Sequence, residues 1–107
     1  MSTETLTLPR TKKEEKRKRQ PPYHVVLLND DDHTYAYVVW MLGALFGHSR
    51  EKAFLMAREV DTTGRVIVDT TSKERAELKR DQIHAFGPDP LLERSMGSMS
   101  AVIEPAE

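Results

Sequence analysis

Residues 23–46 read YHVVLLNDDDHTYAYVVWMLGALF, and the three parts of this stretch decide the fold. Tyr23 to Leu28 is a short β-branched and aliphatic run directly after a proline pair, which reads as a buried strand. Asn29-Asp30-Asp31-Asp32-His33-Thr34 breaks it, because Asn and Asp side chains bond their own backbone and favour turns and caps. From about Thr34 to Phe46 the spacing predicts a helix, with Tyr35, Val38, Val39, Leu42, Leu45 and Phe46 along one face. The opposite face carries Tyr37, Trp40 and Ala44, and no charge falls between Asp32 and Arg50. Tyr37 and Trp40 are expected to point away from the sheet and cover a second helix, an exposed partner patch being the alternative.

Downstream, Gly47 stops the first helix and Ser49 can cap a second one reaching about Val60, with Ala53, Met56, Ala57 and Val60 on one side. Asp61-Thr62-Thr63-Gly64 reads as a turn, and Arg65 to Val68 as a second strand. Thr71-Ser72-Lys73-Glu74 fits a capping box opening a third helix that runs to about Phe86, before Gly87-Pro88. Its apolar stripe is short: Ala76, Ile83 and Phe86. Residues 88–98 read as a loop with a helical turn around Leu91 to Arg94, and Met99 to Ile103 as the last strand. The order β-α-α-β-α-β predicts an α+β fold, a small three-stranded antiparallel sheet with three helices packed on one face.

Upstream, residues 1–22 hold seven basic against three acidic side chains, net +4, and almost no core-forming residue. The remaining 9 basic and 14 acidic residues give 23–107 a charge of −5. A like-charged, weakly apolar segment cannot recover its ordering entropy by burial, so 1–22 is expected to be a disordered basic tail and 23–105 the folded domain. The absence of cysteine excludes disulfides and thiolate metal sites. With no apolar run near the length of a membrane span and a polar, then basic, start, the protein is expected to be cytoplasmic.

Enzymatic chemistry finds little support. His24, His33, His48 and His84 lack metal-ligand spacing, and Ser49 and Ser72 lack a base and an oxyanion partner. No Gly-rich phosphate loop is present. A calcium loop from Asp30 would need Gly and Glu where Tyr35 and Met41 stand.

Tyr23–Phe46 resembles the opening of the ClpS adaptors, in which a strand ends in an Asn-Asp-Asp turn leading to a helix with an aromatic-Val-Val-x-x-Leu pattern. The resemblance continues through Glu51-Lys52-Ala53, the Gly64 turn, Glu74-Arg75-Ala76-Glu77-Leu78-Lys79 and Met99–Glu104. It implies an adaptor without catalysis or cofactor. Such an adaptor binds substrates whose first residue is bulky and apolar, and docks on the N-terminal domain of a ClpA- or ClpC-type AAA+ unfoldase. Glu74 and Lys79 would contact the unfoldase, and the tail would assist delivery.

By the same resemblance, Asn29, Asp30 and Asp61 would hold the substrate's α-amino group. Leu27, Tyr35, Val38, Ala57, Val60 and Met99 would wall a hydrophobic pocket, with Leu91 or Leu92 as alternatives to Met99. An N-terminal residue offers an ammonium beside a side chain, and selecting it requires oxygen acceptors next to an apolar hole. Three positions depart from the family: Tyr35 and Ala57 stand where Met is common, and Asp61 stands where the family usually has His. Two other readings stay open. One is a regulator that binds the unfoldase without reading substrate N-termini, and the other is a nucleic-acid binder acting through the basic tail. Against the latter, the folded part is acidic and the tail has no aromatic residue to stack on bases.

Overall fold

The structure is a computed structural model that describes residues 20–107. Residues 1–19, which carry nearly all of the expected basic tail, lie outside the described residues. The elements are β1 (Tyr23–Leu28), α1 (Tyr35–Phe46), α2 (Arg50–Thr63), β2 (Arg65–Thr71), α3 (Lys73–His84) and β3 (Ser100–Pro105). β1 is the central strand, antiparallel to both neighbours in the order β2-β1-β3.

Alternation along the strands sorts the two faces of the sheet. Val25, Leu27, Val66, Val68 and Ala101 join the helices in one core, while Ile67 and Val102 stay partly open on the other face. The helices therefore cover one side only. Between Val25 and Val26 the β1–β2 register shifts by one residue, so Val68 is extra on the β2 side. Its carbonyl accepts a 2.7 Å hydrogen bond from His48 Nε2, which ties the start of α2 to the sheet.

The helix limits follow from caps. Thr34, Ser49 and Ser72 each accept from a backbone N–H in the first turn of their helix. Gly47 and Gly64 end α1 and α2 in the left-handed conformation that glycine adopts freely. Asp61-Thr62-Thr63 is the last turn of α2 rather than a separate turn, since the Thr62 and Thr63 hydroxyls donate back to Arg58 and Glu59 carbonyls. The expected capping box is absent. Thr71 pairs with Tyr23 in the sheet and Ser72 is the cap, which puts Arg75 rather than Glu74 at the position a reciprocal box requires. α3 ends at His84, two residues before Phe86, and the segment around Leu91 to Arg94 forms turns and no helix.

The buried arc of α1 differs from the sequence expectation. Tyr37, Val38, Met41 and Leu42 are buried, Tyr35 turns toward α2, and Trp40 is 55% exposed. Tyr37 can go inside because its hydroxyl donates to Gly87 O at 2.5 Å, so its own polar atom is not buried unpaired. Trp40 packs edge-on against Phe86, not over α2. α3 presents Ala76, Lys79 and Ile83 inward. Among the described residues, no helix is long and apolar enough to cross a membrane.

Candidate functional site

A cavity of about 320 Å³ opens at the end of β1. The β1–α1 turn contributes Asn29, Asp30, Asp31 and His33, and α1 contributes Tyr35 and Val38. α2 adds Ala57, Val60 and Asp61, and the loop before β3 adds Arg94 and Met99. Eight of the residues singled out in the sequence border this one space: Asn29, Asp30, Asp61, Tyr35, Val38, Ala57, Val60 and Met99. Leu27 does not. It points from the central strand into the core and is wholly buried beneath the helices. Leu91 and Leu92 are also away from the wall, and Leu91 is exposed.

The wall divides by chemistry. Val38, Ala57, Val60 and Met99 are buried apolar side chains, and Ala57 leaves room where a longer residue would fill the space. Asn29, Asp30 and Asp61 stand on the polar rim. Such a site can hold a cation and an apolar group at once.

Each rim group is set by its neighbours. Asn29 is fixed through its backbone, whose N–H donates to Gly64 O at 3.0 Å. Asp30 Oδ1 accepts from Asp32 N–H at 2.9 Å and faces His33 Nδ1 at 2.7 Å. The Tyr35 hydroxyl donates to Asp61 Oδ2 at 2.6 Å, while its ring packs tilted against Phe54. That hydrogen bond, followed by desolvation and the Asp61 charge, holds the Tyr35 phenol above its ordinary 10.0, so it remains a neutral donor at working pH. Two apparent departures from the family pattern are thus partners of each other.

The sequence reading missed the residues that hold the loop behind the cavity. Asp89 is 2% exposed, and it accepts from Thr34 N–H (2.6 Å), the Thr34 hydroxyl (2.8 Å) and Leu91 N–H (2.8 Å). Burial pushes its carboxyl up, but the hydrogen bonds from Thr34 and Leu91, with the nearby His33 ring, outweigh burial and hold it below the usual 3.8. One buried carboxylate therefore anchors Thr34, the N-cap of α1, and folds the loop at the same time. Ser95 and Ser98 hydroxyls accept from Asp89 and Gly87 N–H, and the Arg94 guanidinium donates to Asp31 O at 2.6 Å. The Asp-Pro pair at 89–90 was the available signal, since aspartate there favours a turn.

Two other features lie outside this cavity. A larger groove of about 790 Å³ runs along the uncharged side of α1, lined by Tyr35, Ala36, Val39, Trp40, Gly43, Ala44, His48, Arg50 and Phe54. It has no carboxylate to receive an ammonium. On α3, Glu74 is exposed in the first turn, whereas Lys79 is only 9% exposed. The Lys79 ammonium donates to Leu45 O at 2.5 Å and sits over the Phe46 ring. It caps the C-terminus of α1, where a cation complements the helix dipole.

Residues 18–90 match the family model described as ATP-dependent Clp protease adaptor protein ClpS. Among solved structures, that of Agrobacterium tumefaciens ClpS2 bound to L-phenylalaninamide is similar, with a TM-score of 0.70 at 24% identity. The likeness covers 81% of this chain and 99% of that one. No curated protein sequence matches significantly. The structural likeness reports the fold, and the family match covers most of the chain: it belongs to the ClpS family of adaptors of the ATP-dependent Clp protease.

Proposed function

We propose that this chain binds the N-terminal residue of substrate proteins when that residue is bulky and apolar, and delivers them to a ClpA- or ClpC-type unfoldase. The observation that carries the reading is the single cavity in which Asn29, Asp30 and Asp61 stand beside Val38, Ala57, Val60 and Met99. The α-ammonium is held by the rim oxygens, each charge-assisted bond contributing roughly 1.5–3 kcal/mol. The side chain enters the apolar end, where full burial of a Phe or Leu contributes about 1.5–3 kcal/mol. After the entropy of association these magnitudes suit micromolar binding, as a handover requires. The ligand in the Agrobacterium ClpS2 structure supports the same chemistry, since L-phenylalaninamide is a free α-amine carrying a benzyl group.

Docking on the unfoldase falls to α3 in this reading. Glu74 is the presenting side chain, and Lys79, with its ammonium on Leu45 O, holds α3 against α1. The basic tail assists delivery, and the cavity itself reads the substrate.

The test is a titration with peptides that differ only at residue one, each with a free and an acetylated amino terminus. Acetylation removes the charge and donors that Asp30 and Asp61 receive, and is expected to weaken binding at least about tenfold, or roughly 1.4 kcal/mol. Equal affinities for the two forms would leave the regulator reading, in which the unfoldase is bound without a degron. A second measurement addresses Asp61. An imidazole in its place can still accept from Tyr35 but brings no negative charge or free oxygen to the ammonium, so Asp61→His is expected to weaken binding roughly tenfold, about 1.4 kcal/mol. Unchanged affinity would place Asp61 outside the site.

A further inference from the structure

We propose that His33 is the positioning residue of this pocket: its imidazole orients the Asp30 carboxylate so that one oxygen is left free to receive the substrate's ammonium. The inference rests on the amino-terminal reading above and adds to it a residue outside the acceptor set. The His33 side chain is 3% exposed, and each ring nitrogen meets an oxygen. Nδ1 lies 2.7 Å from Asp30 Oδ1, and Nε2 lies 2.7 Å from Gly97 O, with Ser95 Oγ at 3.4 Å. The ring packs tilted against Tyr37, centroids 4.6 Å apart, and the Tyr37 hydroxyl is fixed on Gly87 O at the other end of the same loop. The imidazole is therefore clamped between the loop and the turn and has no freedom to turn away.

The consequence falls on Asp30. Its Oδ1 accepts from Asp32 N–H at 2.9 Å and lies 2.7 Å from His33 Nδ1, which donates to it whenever that nitrogen carries the proton. Two donors on one oxygen fix the plane of the carboxylate. The other oxygen, Oδ2, has no partner among the described residues, and the side chain is 33% exposed on the cavity wall. A carboxylate so held has one open acceptor on the polar rim of the cavity, beside the apolar end formed by Val38, Ala57, Val60 and Met99, and it loses no rotamer freedom when a cation arrives. Without the imidazole, Asp30 would have to be ordered by each incoming ligand, a cost equivalent to roughly three- to tenfold in affinity.

Two conservative substitutions separate the ring's nitrogens. The amide nitrogen of Asn stands where Nδ1 stands, so His33→Asn keeps the donor to Asp30 and releases Gly97. In His33→Gln the amide nitrogen stands where Nε2 stands, which keeps the tie to Gly97 and releases Asp30. These variants and His33→Ala are compared by affinity for a Phe-initiated peptide with free and acetylated termini, by melting temperature, and by the ¹³C shift of the Asp30 carboxyl without peptide. Expected is that His33→Asn binds within about threefold of the parent and keeps the Asp30 shift, while His33→Gln and His33→Ala lose about tenfold and move it. Affinities that follow melting temperature, with His33→Gln as good as or better than His33→Asn, would reduce His33 to a loop fastener and overturn the proposal. So would an Asp30 shift indifferent to all three substitutions. If the parent fails to distinguish free from acetylated peptide, the degron reading falls, and the carboxyl shift still decides whether His33 orients Asp30.

Discussion

Asp89→Ala should destabilise the fold by about 2–4 kcal/mol, the largest loss expected from any polar substitution in this chain. Three donors depend on that carboxylate: Thr34 N–H, the Thr34 hydroxyl and Leu91 N–H. Removing it leaves the first turn of α1 without its anchor and buries donors with nothing to meet. Asp89→Asn keeps the shape but turns an NH₂ toward at least one of those donors, so a loss of about 1–3 kcal/mol is expected. Urea denaturation reads both. A midpoint within error of the parent for the Ala variant would show that water replaces the carboxylate.

Acid should expose the same group. Its folded-state pKa lies below the ordinary 3.8, so the ionised form is the one the fold favours. The contribution is complete at pH values above the ordinary carboxylate range and is lost as pH falls through the depressed folded value. Melting temperatures of the parent should drop more steeply below about pH 4 than those of Asp89→Asn, which has no proton to gain there.

The element order was legible because each element carries a strong local signal. Val-Val-Leu after a proline pair marks β1, Ser49 marks the start of α2, and Gly47 and Gly64 mark helix ends. The errors arise where tertiary partners decide. Periodicity could not tell which arc of α1 is buried, because the helix is apolar almost all round. The choice falls on Tyr37 over Tyr35 because Gly87 O, fifty positions away, can satisfy the Tyr37 hydroxyl. Likewise Thr71 and Ser72 are equally good caps in isolation, and pairing of Thr71 with Tyr23 settles the matter.

The site was partly legible for the opposite reason. The turn Asn29–Asp32 and the small residue Ala57 stand out in the sequence, but the pairings across the cavity do not. Tyr35 and Asp61 are 26 positions apart, and only the packing of α1 on α2 makes one the donor of the other. The parts played by Asp89 and Arg94 were invisible because both act from the loop before β3, whose course has no periodicity, and that of His33 because its partners Gly97 and Ser95 lie in the same loop. The resemblance puts Leu27 on the wall by its position in β1, whereas its side chain is wholly buried in the core beneath the helices.

Ala57 offers the sharpest probe of how the cavity chooses a side chain, because its methyl group is the smallest element on the apolar wall. It is buried on α2 between Ala53 and Val60, so a larger residue there must project into the open volume. Ala57→Phe places a benzyl group where the substrate's own side chain would lie. The expected loss is most of the burial contribution, about 1.5–3 kcal/mol, or roughly ten- to more than hundredfold in affinity. The loss should be shared by Leu-, Phe- and Trp-initiated peptides. Ala57→Met should discriminate: its flexible chain can yield to Leu but not to an indole, so Trp-initiated peptides fall about tenfold while Leu-initiated ones change by less than about threefold. Circular dichroism and melting temperature separate these effects from misfolding. If Ala57→Phe folds normally and still binds Phe-initiated peptides as the parent does, the substrate side chain enters elsewhere, and the apolar end of this cavity is not its seat.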